Sequence, residues 1–226
     1  MSEADSCRIA YDAETGLPNL AMAHKLFTIG HSAAQISTFL AALKQWEVDL
    51  LVDVRSRPQS HRFPHFDQIE LEAALRMTGF RYLFLGEELG GRPEDPKAYG
   101  SDGIVDYNKW RASRAFQAGL ERVLKESAGH DLVLMCAEED PLNCHRFLMI
   151  CPELVAHGFE PLHIRKGGVL ETQREAEDRL LQMQQLGAMA GASLFSSERE
   201  SALESAYAEQ AKKCAFRLDP AEMERW

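Results

Sequence analysis

Leu50-Leu51-Val52-Asp53-Val54 is a run in which only Asp53 is polar, and its reading decides the fold. A strand this apolar has to be covered on both faces, which is the condition of a parallel sheet flanked by helices. Just before it, Lys25–Ile29 reads as another short strand, ending at Gly30-His31-Ser32, and Ser32 or a neighbour can cap the helix that follows. Between the two strands Ile36, Phe39, Leu40, Leu43 and Trp46 recur at helical spacing. Beyond them the pattern predicts a helix from about Asp67 to Met77 that buries Ile69, Leu71, Ala74 and Leu75, then a strand over Arg81–Leu85. A helix from Tyr107 to about Ala128, a strand over Asp131–Met135, a helix from Cys144, a strand at Leu162-His163-Ile164 and a helix over Glu171–Leu186 complete the series. Strand alternating with helix predicts a Rossmann-like three-layer sandwich, with a mainly parallel sheet of about five strands and helices on both faces. Ligands of such sheets bind beyond the carboxyl ends of the strands, so the polar residues at those ends become one candidate site.

The 226 residues suffice for one core plus an extension. We divide the chain into an arm at 1–24, an α/β domain at 25–186 and a helical extension at 187–226, with an amphipathic helix around Arg199–Lys213. No apolar run has the length of a membrane helix, and the polar, acidic start lacks the features of a secretory signal, so a cytoplasmic protein away from membranes is expected. Five scattered cysteines in a chain of this size fit free thiols in a reducing compartment. A net charge of -10 argues against coating nucleic acid by bulk attraction, while leaving room for a nucleotide or a nucleic-acid end in a locally basic pocket.

The segment richest in chemistry is Met135-Cys136-Ala137-Glu138-Glu139-Asp140-Pro141-Leu142-Asn143-Cys144-His145-Arg146. A strand delivers Cys136 and Glu138 to its end, and Asn143 can cap a helix whose first turn holds Cys144, His145 and Arg146. Free N–H groups and the helix dipole there favour an anion, and the same field would lower a thiol pKa at Cys144. One reading makes Cys144 or Cys136 a nucleophile, with His145 or Glu138 moving protons. Another makes Cys136, Cys144 and His145 three ligands of a metal; against it, the paired CxxC signature is missing and neighbours on a helix point about 100° apart. The plain alternative is buried cysteines, with Arg146 paired to Glu138 or Asp53.

Asp53-Val54-Arg55-Ser56-Arg57-Pro58 supplies a second constellation. An aspartate ending an apolar strand needs a partner, and Arg55 is the near one; functionally, Asp53 could orient a histidine or accept from a ribose hydroxyl, with Arg55 and Arg57 reaching phosphate. His31 is the best proton-transfer candidate by position, beside Gly30, which lets backbone approach a ligand. Leu89-Gly90-Gly91-Arg92 reads as a hinge with an anion contact at Arg92, or as an ordinary turn.

The blocks TIGHS (28–32), DVRSRPQS (53–60), FRYLFLGEELGGR (80–92) and CAEEDPLNCHR (136–146) resemble the successive signature blocks of the bacterial and archaeal domain-of-unknown-function family 488. The resemblance runs from about Lys25 to Leu181. It implies motif positions at His31, Ser32, Asp53, Arg55, Ser56, Cys136, Glu138, Cys144, His145 and Arg146, and no particular reaction. The chain departs from the family at Ile150-Cys151-Pro152, where a proline removes a backbone donor and should kink or restart the helix. These residues together suggest an enzyme acting on a small phosphate-bearing ligand, or else a non-catalytic metal- or redox-responsive module using Cys136, Cys144 and His145. They name neither a cofactor nor an oligomeric state.

Overall fold

The structure is a computed structural model that describes residues 24–184 and 196–219. Apart from His24, the amino-terminal arm lies outside these residues, as does the small-residue link after Gln184. Six strands form one sheet in the order β3-β2-β4-β1-β5-β6, with β1 at Leu26–Gly30, β2 at Leu50–Asp53, β3 at Arg81–Phe84, β4 at Leu132–Cys136, β5 at Leu162–Ile164 and β6 at Leu170–Thr172. The first five are mutually parallel. The sixth strand is a departure from the sequence expectation: it folds back antiparallel on β5 through a turn whose Gly167 and Gly168 both have positive φ. Three residues beside a glycine pair offer too short a pattern to read as a strand.

Alternation along the strands divides the core in two. Leu26, Leu50, Val52, Leu132 and Leu134 pack on one face against Leu89, Phe116 and Leu120, and against Leu154, Leu180 and Ala206 from later helices. Phe27, Ile29, Leu51, Val133 and Met135 pack on the other face against Phe39 and Leu43 of α1 (Ile36–Gln45) and Leu71 and Leu75 of α2 (Gln68–Met77). The protein is therefore a mixed α/β structure in which both sheet faces are covered.

Several local expectations are corrected. Ser32 does not cap α1: it turns the chain with φ 44, and Gln35 stands at the cap without a side-chain bond. Ile69 is 81% exposed, because its side of α2 faces away from the sheet. The helix foreseen over 107–128 is broken into α4 (Tyr107–Arg111) and α5 (Arg114–Ser127), since Asp106 and Ser113 each cap a fresh N-terminus with their side chains. A short α3 (Gly86–Leu89) precedes them.

The helix after Cys144 changes its winding just before Pro152. A π-helical stretch over Arg146–Ile150 passes into α6 (Cys151–Ala156) while Ile150 and Cys151 keep right-handed helical angles, and the proline lies in the first turn of α6. Then come α7 (Gln173–Met183), which opens with a capping box from Thr172 and Glu175, and α8 (Ser196–Cys214), which lays Ala202, Ala206 and Tyr207 on the first core.

Candidate functional site

The candidate residues gather at the carboxyl rim of β1, β2 and β4, where the backbone ties the three ends together. The His31 N–H donates to the Cys136 carbonyl, Ser32 to Ala137 and Val54 to Met135. Gly30 is required here, because a Cβ at that position would lie 1.7 Å from the Glu138 carbonyl oxygen. Around this seam the side chains fall into three groups.

The first group belongs to the α1/α2 side. Asp53 is fully buried and takes a fork from Arg55, Nε to Oδ1 at 2.9 Å and Nη2 to Oδ2 at 2.6 Å, with the Tyr82 hydroxyl adding a bond at 2.9 Å. The remaining Arg55 nitrogen, Nη1, donates to the Phe66 carbonyl at 2.9 Å and faces His31 Nε2 at 3.3 Å. His31 stacks on Phe66 and donates from Nδ1 to the Ser32 carbonyl, which leaves Nε2 as the acceptor for Arg55. Burial, and next the Arg55 cation, lower its pKa to about 4. His31 is thus a neutral ring with both nitrogens engaged, Nδ1 with the Ser32 carbonyl and Nε2 with Arg55.

The second group lies on the opposite face. Asp53 is in register with Met135, so Cys136, one residue on, points the other way. Cys144 does not enter a helix; it is extended (φ -137, ψ 141) after a 3-10 turn at Pro141–Asn143 that Asp140 caps. The angular argument against a shared Cys144–His145 centre therefore does not apply. His145 Nδ1 stands 3.7 Å from each of the Cys136 and Cys144 sulfurs, and the three ligand atoms lie within 4.8 Å of one another. His145 Nε2 donates to the Val54 carbonyl at 2.9 Å, which turns the Nδ1 lone pair toward the sulfurs. Burial raises the Cys144 thiol, but the hydrogen bond from Cys136 and the charge of Arg146 outweigh it and hold Cys144 well below the ordinary thiol range. Cys136, as the donor in that bond and fully buried, is pushed up correspondingly.

The third group is a buried polar chain. Arg146, expected to face an anion, is 0% exposed, and donates to the carbonyls of Glu138 (2.6 Å) and Glu139 (2.8 Å) and to Thr28 Oγ1 (3.3 Å). Thr28 donates to His163 Nδ1 at 2.8 Å, and His163 Nε2 donates to Gln173 Oε1 at 3.1 Å. Gln173 in turn donates to Glu177 and to Tyr207 of α8. Burial, followed by the Arg146 cation, lowers His163 to about 4, with Glu171 opposing and Arg165 reinforcing the shift. The unfolded chain binds this proton near pH 6.5, so the stability contributed by the neutral ring is complete above 6.5 and is lost as pH falls toward 4. His163→Gln is expected to remove about 1.4 kcal/mol per pH unit from the acid slope of the unfolding free energy in that window. Parallel slopes for the two proteins in urea titrations across pH 4 to 6.5 would refute the assignment.

Of the other expected residues, Glu138 is exposed and only its carbonyl is engaged. Ser32 is exposed too, its carbonyl holding His31. Ser56 Oγ accepts from the Arg92 N–H at 2.8 Å, and the Gly91 that precedes Arg92 lies against the His145 ring, where a Cβ would sit 3.0 Å away. Thus His31, Asp53 and Arg55 meet one another, as do Cys136, Cys144 and His145, and the two sets touch through the Val54 and Cys136 backbone. No described cavity is lined by both sets. Thr28, Tyr82 and Gln210 were missed by the sequence reading. Gln210 of α8 donates to the Leu142 carbonyl and to Asn143 Oδ1, bracing the turn before Cys144.

Fold and site together define an α/β protein carrying a buried dithiol–imidazole cluster at the carboxyl rim of a mostly parallel sheet. The chain belongs to the family described as "Domain of unknown function DUF488", whose profile matches residues 35–150. That span contains every member of the cluster and leaves out the TIGHS block and α8. Among curated proteins nothing matches. Among solved structures the chain is similar to a "Putative phosphatase (DUF442)" from Shewanella putrefaciens CN-32, at 11% identity over 86% of this chain and 91% of that one, with a TM-score of 0.36.

Proposed function

We propose that this protein binds a thiophilic divalent metal, zinc first, through Cys136, Cys144 and His145. The observation that carries the reading is the triangle of two sulfurs and one imidazole lone pair. A tetrahedral ion bonded at about 2.3 Å to sulfur and about 2.0 Å to nitrogen holds such a pair about 3.5 Å apart, against 3.7 Å here for both pairs. The Val54 carbonyl supplies the outer hydrogen bond that fixes the tautomer of a ligating histidine. Among the described residues this is the one cluster of at least three such groups. Three protein ligands leave a fourth position, where a bound ion would act on water or on the oxygen of a ligand. The Cys144 thiol, whose pKa its neighbours lower, would also be the nucleophile of a thiol enzyme, and metal and nucleophile readings use the same atoms.

The competing expectation, an enzyme that grips phosphate with Arg55 and Arg146, has little support from these two side chains. Both are buried, and their donors are occupied by Asp53, the Phe66 carbonyl, Thr28 and the Glu138 and Glu139 carbonyls. The metal proposal is tested by titrating reduced protein with zinc against a chromophoric chelator. One zinc per chain is expected, with affinity reduced at least about a hundredfold in Cys144→Ser. Failure of the reduced, folded protein to withhold zinc from a micromolar chelator would sink it.

A further inference from the structure

A cavity of about 900 Å³ lies apart from the cysteine cluster, beyond the carboxyl ends of β2 and β3. These neighbouring strands send their connections to opposite faces: β2 leads to α2, packed with the second core, and β3 leads to α3–α5, packed with the first. The loops must part where the connections diverge, and a crevice opens between them. Its volume is in the range of small-molecule sites.

The walls are cationic on a chain of net charge -10. Arg57, Arg92, Lys97, Lys109 and Arg114 line the cavity, against Glu87, Glu94 and Asp95. Lys109 is tied to the Tyr99 carbonyl and Arg92 lies over the Phe216 ring. The side chains of Arg57, Lys97 and Arg114 make no hydrogen bond or ion pair among the described residues. The amino terminus of α5, a helix of 14 residues, contributes Ser113, Arg114 and Ala115 to the wall, adding the positive end of its dipole. Trp110, 3% exposed, also lines the cavity and gives it an apolar side.

We propose that this cavity is a binding site for a compact phosphate ester or diphosphate, with the unpaired cations of Arg57, Lys97 and Arg114 around the anion. The three acidic residues in the same lining disfavour a long polyanion. The site does not rest on the metal reading, since it shares no side chain with Cys136, Cys144 or His145.

The test is calorimetric titration of the reduced full-length protein with inorganic phosphate, pyrophosphate and adenosine diphosphate, and with a single-stranded oligonucleotide lacking terminal phosphates. Saturable binding of pyrophosphate or the nucleotide is expected. Arg57→Gln combined with Arg114→Gln, both exposed positions, should weaken it by about a hundredfold. Absence of saturation by all the phosphates, binding of the oligonucleotide alone, or unchanged affinity in the arginine variant would each overturn the proposal. Because zinc binding is measured separately, failure of either proposal leaves the other standing on its own result.

Discussion

Asp53→Ala is expected to lower the unfolding free energy by about 4 kcal/mol, read as a fall in the urea midpoint at unchanged slope. The carboxylate is 0% exposed and Arg55 5%, so removing one partner leaves the other as an uncompensated charge in the interior. Asp53 is also the acceptor for the Tyr82 hydroxyl. Burial and the adjacent carboxylate push that phenol well above its ordinary pKa, so it remains a neutral donor and would be left unsatisfied as well. The double variant Asp53→Ala/Arg55→Met should recover part of the loss, because it removes the stranded cation along with its partner. A single-variant cost below about 1 kcal/mol would mean that the pair is solvated, contrary to its burial.

Arg146→Met should cost a similar amount, about 4 kcal/mol, for a different reason. Arg146 is the largest of the fully buried side chains and has no carboxylate partner; its fork closes the loop after β4 by gripping two successive carbonyls and, through Nε, a threonine hydroxyl. Methionine keeps much of the volume and deserts all three acceptors. Arg146→Lys should fall between the two, since an ammonium cannot span both carbonyls and Thr28 in the geometry of a planar fork. Chemical denaturation of the three proteins checks the order. A methionine variant as stable as wild type would show that the arginine is not the tie of this loop.

These two arginines show how far the sequence could be read. The apolar run at 50–54 requires cover on both sides, and the need of Asp53 for a partner within two residues follows from the cost of burying it, so β2 and its ion pair are both legible. Arg146 was assigned to an anion because cation, histidine and thiol crowd one turn. Its actual partners are backbone carbonyls, which carry no residue identity and leave no trace in a sequence. The opposite facing of Asp53 and Cys136 follows from pleating only once the register Asp53–Met135 is known, and register between distant parallel strands is a tertiary fact. The cluster itself was legible as residue types and not as geometry: an extended Cys144 depends on the 3-10 turn that Asp140 caps, where a helix was expected from Asn143. The cationic cavity was legible only at Arg57 and Arg92, each readable as an anion contact, and not as a place where cations converge. Arg57, Lys97, Trp110 and Arg114 come from separate loops and helix ends, with no common period to connect them.

The segment that follows α8 has a consequence for that cavity. Val105 N donates to the Phe216 carbonyl, Leu218 N to Gly103, and Arg92 rests on the Phe216 ring, so the long loop after α3 is stitched down at both ends of its span. A wall moored in this way has little freedom left to surrender when a guest arrives. Capture should then proceed in one step, at a rate rising linearly with guest concentration, and the chain's last described residues act as a brace whose effect is kinetic as much as structural.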